Sequence, residues 1–266
     1  MAEVAGGWSM PVAAGPPEFL PVLDVPEPGR QRRLTVFLRW LILIPHLIVV
    51  WVLSIAAFLA AIVGWFAALL TAQLPAPIAR YLSNFLGYDT RLTVSLFLLI
   101  DRYPPFSLRQ PPEYPVRFEV RPGQLNRAAV FFRLILMIPA AIISGLLGAG
   151  WLVLAFFIWL WTLITARLPR PLFEAQAAMV RYRMRFLAYS LMLTSAYPKR
   201  LFGDPPTDEP PQSATRPLLV GMAGKVLLVV FLVLGLGADL SSSVTSSTSS
   251  NNDNNGTINT APDYGS

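Results

Sequence analysis

Two long apolar stretches dominate the pattern of hydrophobic and polar positions along the chain. The first runs from Leu34 to Leu74, and only Arg39 and His46 within it can carry a charge. One membrane span needs about 20 residues, whereas one straight helix over this stretch would reach about 60 Å, twice the hydrocarbon core. The stretch therefore predicts a hairpin of two spans, with one long tilted span or a re-entrant pair as the alternatives.

The second stretch, at about 128–168, repeats this pattern. Its middle, residues 144–150, is rich in glycine and other small residues, which favours a turn between two further spans. A fifth apolar segment at 218–240 contains Lys225 as its one basic residue and is long enough to cross a membrane once. The pattern predicts five spans in all.

Polar and low-complexity segments flank these spans. Residues 1–28 are rich in glycine, proline and alanine and are predicted to form a flexible cytosolic arm. Residues 204–217 are predicted to be a linker before the last span. Residues 241–266 are rich in serine, threonine and asparagine, a composition typical of a disordered tail.

The chain matches itself when it is shifted by 94 residues. Between 36–104 and 130–198, 20 of 69 aligned positions are identical, and they include arginine, proline, tryptophan and tyrosine rather than only leucine and alanine. The pattern therefore predicts two copies of one unit, repeat 1 at 29–109 and repeat 2 at 110–203.

Each copy is predicted to have the same plan. A short extended segment, at 22–25 or 114–120, precedes the hairpin, and a basic segment, at 78–101 or 172–196, follows it. We expect each basic segment to form an amphipathic helix on the membrane surface. The alternative is a loop followed by a short buried helix.

The repeated motifs resemble a bacterial membrane-protein family, domain of unknown function 4389, present twice. The resemblance lies in the segments beginning at Phe37, Trp65 and Asp101, and in their partial copies beginning at Phe132 and Leu193. It covers roughly residues 20–205. It implies a multi-pass membrane protein of mainly actinobacterial type and brings no assigned activity.

Composition agrees with a membrane protein and excludes several classes of site. The chain is 54% hydrophobic and 14% charged, and its mean hydropathy is +0.53, so a wholly soluble fold is excluded. With no cysteine and one histidine, it lacks the side chains for thiolate or multi-histidine metal sites. The net charge of +6 favours anionic phospholipids rather than nucleic acid as the partner.

The basic residues also suggest an orientation. Arginines lie before and after each apolar stretch, whereas the chain beyond Lys225 contains aspartate and no base. Because basic flanks mark the cytosolic side, we expect a bacterial plasma-membrane protein with a cytosolic N-terminus and an external C-terminal tail.

Five arginines are candidate contacts for lipid headgroups or another anion. Two occupy equivalent positions near the start of the two apolar stretches, and the pattern favours side chains that snorkel to the interface over a pair of anion sites. The others lie in the basic segments, where Asp89 and Asp101 are expected to pair with Arg91 and Arg102. The five candidates are Arg39, Arg133, Arg91, Arg181 and Arg185.

The sequence predicts an all-α membrane protein with no enzymatic activity. It contains no catalytic constellation or phosphate-binding motif, and we expect neither a cofactor nor a metal. The favoured function is a scaffold or accessory subunit that interacts with anionic lipids, with other membrane proteins or with itself. The alternative is a transporter or channel that uses the interface between the repeats.

Overall fold

A computed structural model describes residues 19–206 and 210–256 of the protein, with side chains described as far as residue 242. Most of the predicted N-terminal arm, residues 1–18, lies outside the described residues. The same is true of residues 207–209 in the predicted linker and of residues 257–266 in the predicted tail.

The first repeat contains one long helix and one shorter helix. Helix α1 (Arg33–Thr71) ends at Ala72, whose φ of 57° is the left-handed conformation that closes many helices. The following Leu-Pro-Ala-Pro segment cannot continue the helix, and α2 (Ala76–Leu96) begins directly after Pro75.

The second repeat follows the same plan with a segmented long helix. Helices α3 (Arg127–Phe131), α4 (Arg133–Leu136) and α5 (Ile138–Thr165) run in sequence, and α6 (Arg170–Ser190) follows them. The Asn126 side chain caps the first turn by accepting hydrogen bonds from two backbone amides. The second break precedes Pro139, which has no amide hydrogen to donate.

The predicted hairpins are wrong, because each apolar stretch forms one rod. Residues 54–56 stay inside α1 and residues 144–150 stay inside α5. In apolar surroundings a backbone turn would leave amide and carbonyl groups unpaired, so the helical hydrogen bonds continue through the small residues. Within the described residues, three helices are long and apolar enough to cross a membrane: Arg33–Thr71, Arg133–Thr165 and Met222–Ser242. The helical class and the two-copy plan are confirmed.

The two extended segments are also confirmed, and they pair with each other. Strands β1 (Val22–Asp24) and β2 (Arg117–Glu119) form an antiparallel ladder in which Leu23 lies opposite Phe118. Because residue 23 is equivalent to residue 117 under the 94-residue shift, the centre of the ladder coincides with a two-fold axis between the repeats.

The same pseudo-two-fold axis relates the long helices. The Trp65 indole donates to the Val130 carbonyl oxygen, and Trp159 donates to the equivalent oxygen of Val36, both at 2.9 Å. The amides of Leu125 and Gln31 likewise donate to the oxygens of Ala72 and Ala166, both at 2.8 Å. Each long helix therefore ends where the other begins, and the two rods run antiparallel.

Helices α2 and α6 pack between the strands and the rods. On one side of α2, a Cβ added at Gly87 would overlap the Phe118 ring at 2.1 Å, and on the other side the Tyr81 hydroxyl donates to Leu53 in α1. Residues 85–95 of α2 are buried throughout, as is most of 173–185 in α6. The predicted placement of these helices on the lipid surface is therefore replaced by burial inside the protein.

Helix α7 (Met222–Gly256) packs along α5 and α6. Two glycines allow backbone contact: a Cβ added at Gly150 would lie 1.7 Å from the Phe231 oxygen, and one at Gly235 would lie 2.0 Å from the Leu146 oxygen. The helix continues through the serine- and asparagine-rich segment, where Ser241 and Ser242 bond to preceding backbone oxygens. Residues 241–256, which the composition places in a disordered tail, therefore belong to this helix.

The contact at Gly150 predicts a strong effect of one added methyl group. Gly150→Ala should lower the free energy of unfolding by about 1–3 kcal/mol, because the methyl forces two helix backbones apart. Gly148→Ala is the matched control, since nothing lies within 4 Å of its added Cβ. It should leave stability unchanged or raise it slightly. Chemical unfolding in detergent, followed by helical circular dichroism, measures both variants, and equal effects would contradict the proposed packing.

Candidate functional site

An ion pair on the pseudo-two-fold axis joins the two repeats. Asp89 in α2 and Arg183 in α6 are equivalent positions, and both guanidinium Nη atoms donate to the Asp89 carboxylate. The Arg183 Nη1 atom also donates to Thr93 at 3.0 Å. Burial lowers the pKa of Arg183 but the Asp89 charge raises it, with a net upward shift. Two identical side chains here would repel or leave each other unpaired, so opposite charges favour the association of the repeats.

Two clefts flank this axis at equivalent positions, and each contains one of the candidate arginines. In the first cleft Arg39 is 3% exposed and is neutralised. Its Nη1 donates to the Ser95 hydroxyl at 3.0 Å, and its Nη2 lies 3.4 Å from the Asp101 carboxylate.

Three aromatic rings fill the first cleft. Trp151 stacks on Phe97 with ring centroids 4.1 Å apart, and Trp40 stacks on its other side at 6.4 Å. A smaller apolar groove of about 480 Å³ remains beside Trp40. The buried charge in this cleft is therefore paired, and the space beside it is occupied.

The second cleft is open because the residues equivalent to these rings are small or aliphatic. Ala57 stands in place of Trp151, Leu134 in place of Trp40, and Leu191 in place of Phe97. The result is a cavity of about 800 Å³ between α1, α4 and α6. Its lining is mostly apolar and includes Val50, Ala57, Phe58, Ile62, Phe66, Leu134, Met137, Leu187 and Leu191.

Arg133 lines this open cavity and is only partly satisfied. It is 3% exposed, its Nη2 donates to the Thr194 oxygen at 3.0 Å, and its guanidinium lies 4.2 Å from the centre of the Tyr189 ring. In the described part of the chain, its Nε and Nη1 atoms have no hydrogen-bond partner. Ser195 stands where the first repeat has Asp101, so no described carboxylate pairs with Arg133.

The cavity therefore combines apolar walls with an excess positive charge. Asp89 and Arg183 also line it, but these two charges cancel each other. Arg133 contributes the remaining charge. An unpaired buried guanidinium is costly, and an anion that reached it would supply the missing acceptors.

The other three candidate arginines hold loops and the linker rather than line the cavity. Arg91 and its equivalent Arg185 donate to the backbone oxygens of Ser107 and Lys199. Arg181 donates to Asp204 at 2.5 Å. All three are less than 5% exposed. Burial and the nearby Arg181 lower the pKa of Arg185 to about 9, so it remains charged at neutral pH.

The two carboxylate pairings expected from sequence proximity are wrong. Asp89 pairs with Arg183 and Asp101 with Arg39, rather than with Arg91 and Arg102. Asp89 and Arg91 are two positions apart on α2 and so do not face each other, whereas packing between the segments brings distant residues opposite Asp89 and Asp101. The 94-residue alignment already contained the useful signal, because it shows Asp101 against Ser195 and Asp89 against Arg183.

His46 lies in the first repeat only and is enclosed by aromatic rings. Its Nδ1 is 2.5 Å from the Tyr88 hydroxyl, and its ring stacks on Phe106 with centroids 3.8 Å apart. The second repeat has Ala140 at the equivalent position. These contacts fix the loop after α2 against α1.

Comparison with known families agrees with the repeat seen in the fold. The model for a domain of unknown function (DUF4389) matches residues 33–107 and again residues 127–201, two segments related by the same 94-residue shift. The chain belongs to the DUF4389 family. No curated protein and no solved structure shows significant similarity to it. The family description names no activity for this DUF4389 protein.

Asp204 predicts a pH dependence of stability. Burial raises the pKa of Asp204, but Arg181 and the Leu218 amide lower it by more, so the net shift is downward. A carboxylate whose pKa is depressed in the folded state stabilises the fold at pH values above its unfolded-state pKa of about 3.9. This contribution is lost as the pH falls below that value, toward the folded-state pKa.

The change that tests this dependence is Asp204→Asn. It should lower the free energy of unfolding by about 1–3 kcal/mol at pH 7 and have less effect at pH 3. Denaturant unfolding at both pH values measures the difference. Asp239→Asn is the control, because its carboxylate is in no ion pair among the described residues. An equal loss from Asp204→Asn at both pH values would contradict the assignment.

Proposed function

We propose that this DUF4389 protein is a non-enzymatic membrane scaffold or accessory subunit that holds an anionic lipid in the open cavity. The observation that carries the proposal is Arg133, a buried guanidinium at the wall of an apolar cavity that has no carboxylate partner among the described residues. A lipid offers an anionic oxygen for such a group and an acyl chain for the walls. The remaining partners would be other membrane proteins or a second copy.

The difference between the two clefts supports a ligand rather than a packing defect. A cleft with no role would be free to fill and to neutralise its charge, as the Arg39 cleft has done. In the second cleft neither change is present, although both require only side chains of the kinds that the first cleft already contains. The open cavity and the unpaired charge occur together.

The position of the cavity also fits a lipid. Phe58, Ile62 and Phe66 lie on its wall and on the exposed apolar side of α1. An acyl chain can therefore pass from the bilayer into the cavity without crossing a polar barrier, and its headgroup can reach Arg133.

A transporter or channel is the second candidate. The observation that favours it is that residues of both repeats line one cavity beside the pseudo-two-fold axis, a common place for a transport site. Proteoliposomes that contain the wild-type protein test it: uptake of a labelled anionic lipid or a small anion into the lumen, abolished by Arg133→Gln, would favour transport over a scaffold.

Basic residues favour the cytosolic side of the bacterial plasma membrane for the N-terminus. The side of the C-terminal tail depends on whether the long helices cross the bilayer.

Removing the charge of Arg133 should abolish retention of an anionic lipid. In native mass spectrometry from mild detergent, Arg133→Gln should retain phosphatidylglycerol at least about tenfold less than the wild type, because a charge-assisted bond is worth about 1.5–3 kcal/mol. Arg80→Gln, which removes an exposed arginine, should retain the lipid fully. Equal retention by all three proteins would contradict the proposal.

Copying the first cleft into the second should give the same loss by another route. Ser195→Asp supplies the carboxylate that neutralises Arg39 in the first repeat, and Ala57→Trp supplies the ring that fills its cleft. We expect Ser195→Asp to remove the preference for anionic over zwitterionic lipid. We expect Ala57→Trp to reduce the retention of both kinds of lipid. As a control, thermal unfolding should show that each variant is as stable as the wild type. Unchanged lipid retention in both variants would exclude this cavity as the binding site.

A further inference from the structure

Three layers of the fold follow one another along the pseudo-two-fold axis: the sheet, helices α2 and α6, and the long rods. The ladder of β1 and β2 is centred on the axis, the Asp89–Arg183 pair lies on it, and the antiparallel rods α1 and α3–α5 lie beyond. Since Phe118 of the sheet packs on one side of α2 and α1 packs on the other, the sheet and the rods are separated by the α2–α6 layer. The axis therefore runs across the rods, from a polar layer to an apolar one.

The polar layer contains exposed charges close to the axis. Arg117 and Arg121 are exposed, and Glu119 forms ion pairs with Arg121 and Arg216. If the antiparallel rods crossed the bilayer upright, their two-fold axis would have to lie in the membrane plane, near mid-depth. The sheet and its charges would then face the hydrocarbon centre, which is the most expensive position for a charged group.

The apolar layer has no charge on its outer side. Residues 40–71, 134–166 and 226–238 contain no aspartate, glutamate, lysine or arginine. The large side chains exposed there, such as Leu41, Val52 and Val63 on α1, form a continuous apolar surface. A surface of this kind, backed by a polar layer, suits one leaflet of a bilayer.

The length and ends of the rods agree with this placement. Helix α1 has 39 residues and is therefore about 58 Å long, about twice the hydrocarbon thickness. Both of its ends are basic, with Arg33 at the start and Arg80 shortly after the end, and Arg127 and Arg167 flank the second rod. Basic groups at both ends of a rod belong on the same side of the membrane.

We propose that the axis is parallel to the membrane normal and that α1, α3–α5 and the apolar part of α7 lie in one leaflet, parallel to the membrane plane. The partner of the apolar surface is then the acyl layer of the cytosolic leaflet. The sheet and the surrounding loops face the cytosol. Both ends of each rod, and the polar end of α7, lie on that same side, in contrast to the external side expected from charge bias.

The chain contains no cysteine, so single-cysteine variants report position without further changes. Arg30→Cys and Gln73→Cys place a thiol beyond each end of α1, and Gln124→Cys and Arg167→Cys occupy the equivalent positions in the second repeat. All four residues are exposed. A membrane-impermeant maleimide is applied to spheroplasts and to inverted vesicles of bacteria that express the full chain.

The expected result is that all four thiols react in inverted vesicles and none reacts in spheroplasts. Reaction of Arg30→Cys and Gln73→Cys from opposite sides would overturn the proposal, because it would show that α1 crosses the membrane. The result does not depend on lipid retention at Arg133, so the two proposals fail separately.

A depth measurement gives a second readout. Leu41→Cys, Val52→Cys and Val63→Cys lie about three turns apart on one exposed side of α1, or about 16 Å between neighbours. With nitroxide labels in lipid vesicles, the in-plane placement predicts three similar depths within one leaflet. A progression from one headgroup region to the other, over about 33 Å, would overturn it.

Discussion

Each repeat leaves the ends of a long apolar helix unsatisfied, and the other repeat supplies the missing partners. The carbonyl oxygens of Ala72 and Ala166 close the two rods and accept from Leu125 and Gln31 of the opposite repeat. Trp65 and Trp159, about two turns before these ends, make a second matching pair of bonds to the opposite repeat. Because the last carbonyl groups of a helix have no partner within the helix, the antiparallel pairing of two copies supplies hydrogen bonds that one copy alone could not form.

The same pairing explains why the copies could diverge. A residue near the axis meets its own equivalent, so a change in one copy creates a new pair with the other. Asp89 and Arg183 form such a pair. Because the two side chains carry opposite charges, the pair favours the association of repeat 1 with repeat 2 over the association of two identical repeats. Away from the axis each cleft is independent, which allowed one to fill with aromatic rings while the other stayed open around Arg133.

The cavity and the outer surface of the rods are both apolar, and the proposals assign the same type of partner, lipid, to both. In the proposed placement, the exposed apolar side of the rods would face the acyl layer, and the open cleft would connect that layer to the Arg133 guanidinium. Helix α7 covers the second rod closely because Gly150 allows backbone contact, whereas the first rod has Ala56 at the equivalent position. An equally close helix on the first rod would meet that methyl group, and no described helix packs against the first rod in the same way.

The sequence by itself determined the class of protein, the duplication and the location of the long apolar segments, because hydrophobic runs and a 94-residue self-match are local properties of the chain. It also predicted both extended segments and a helix in each basic segment, at 78–101 and 172–196, but not that these helices would be buried inside the protein. It did not determine that residues 54–56 and 144–150 stay helical, since backbone hydrogen bonding in an apolar environment outweighs local turn preference. Tertiary structure decided what each arginine contacts: Arg39 and Arg133 occupy equivalent positions and the alignment sets Asp101 against Ser195, but only packing between distant segments brings Asp101 to Arg39 and leaves Arg133 facing a cavity.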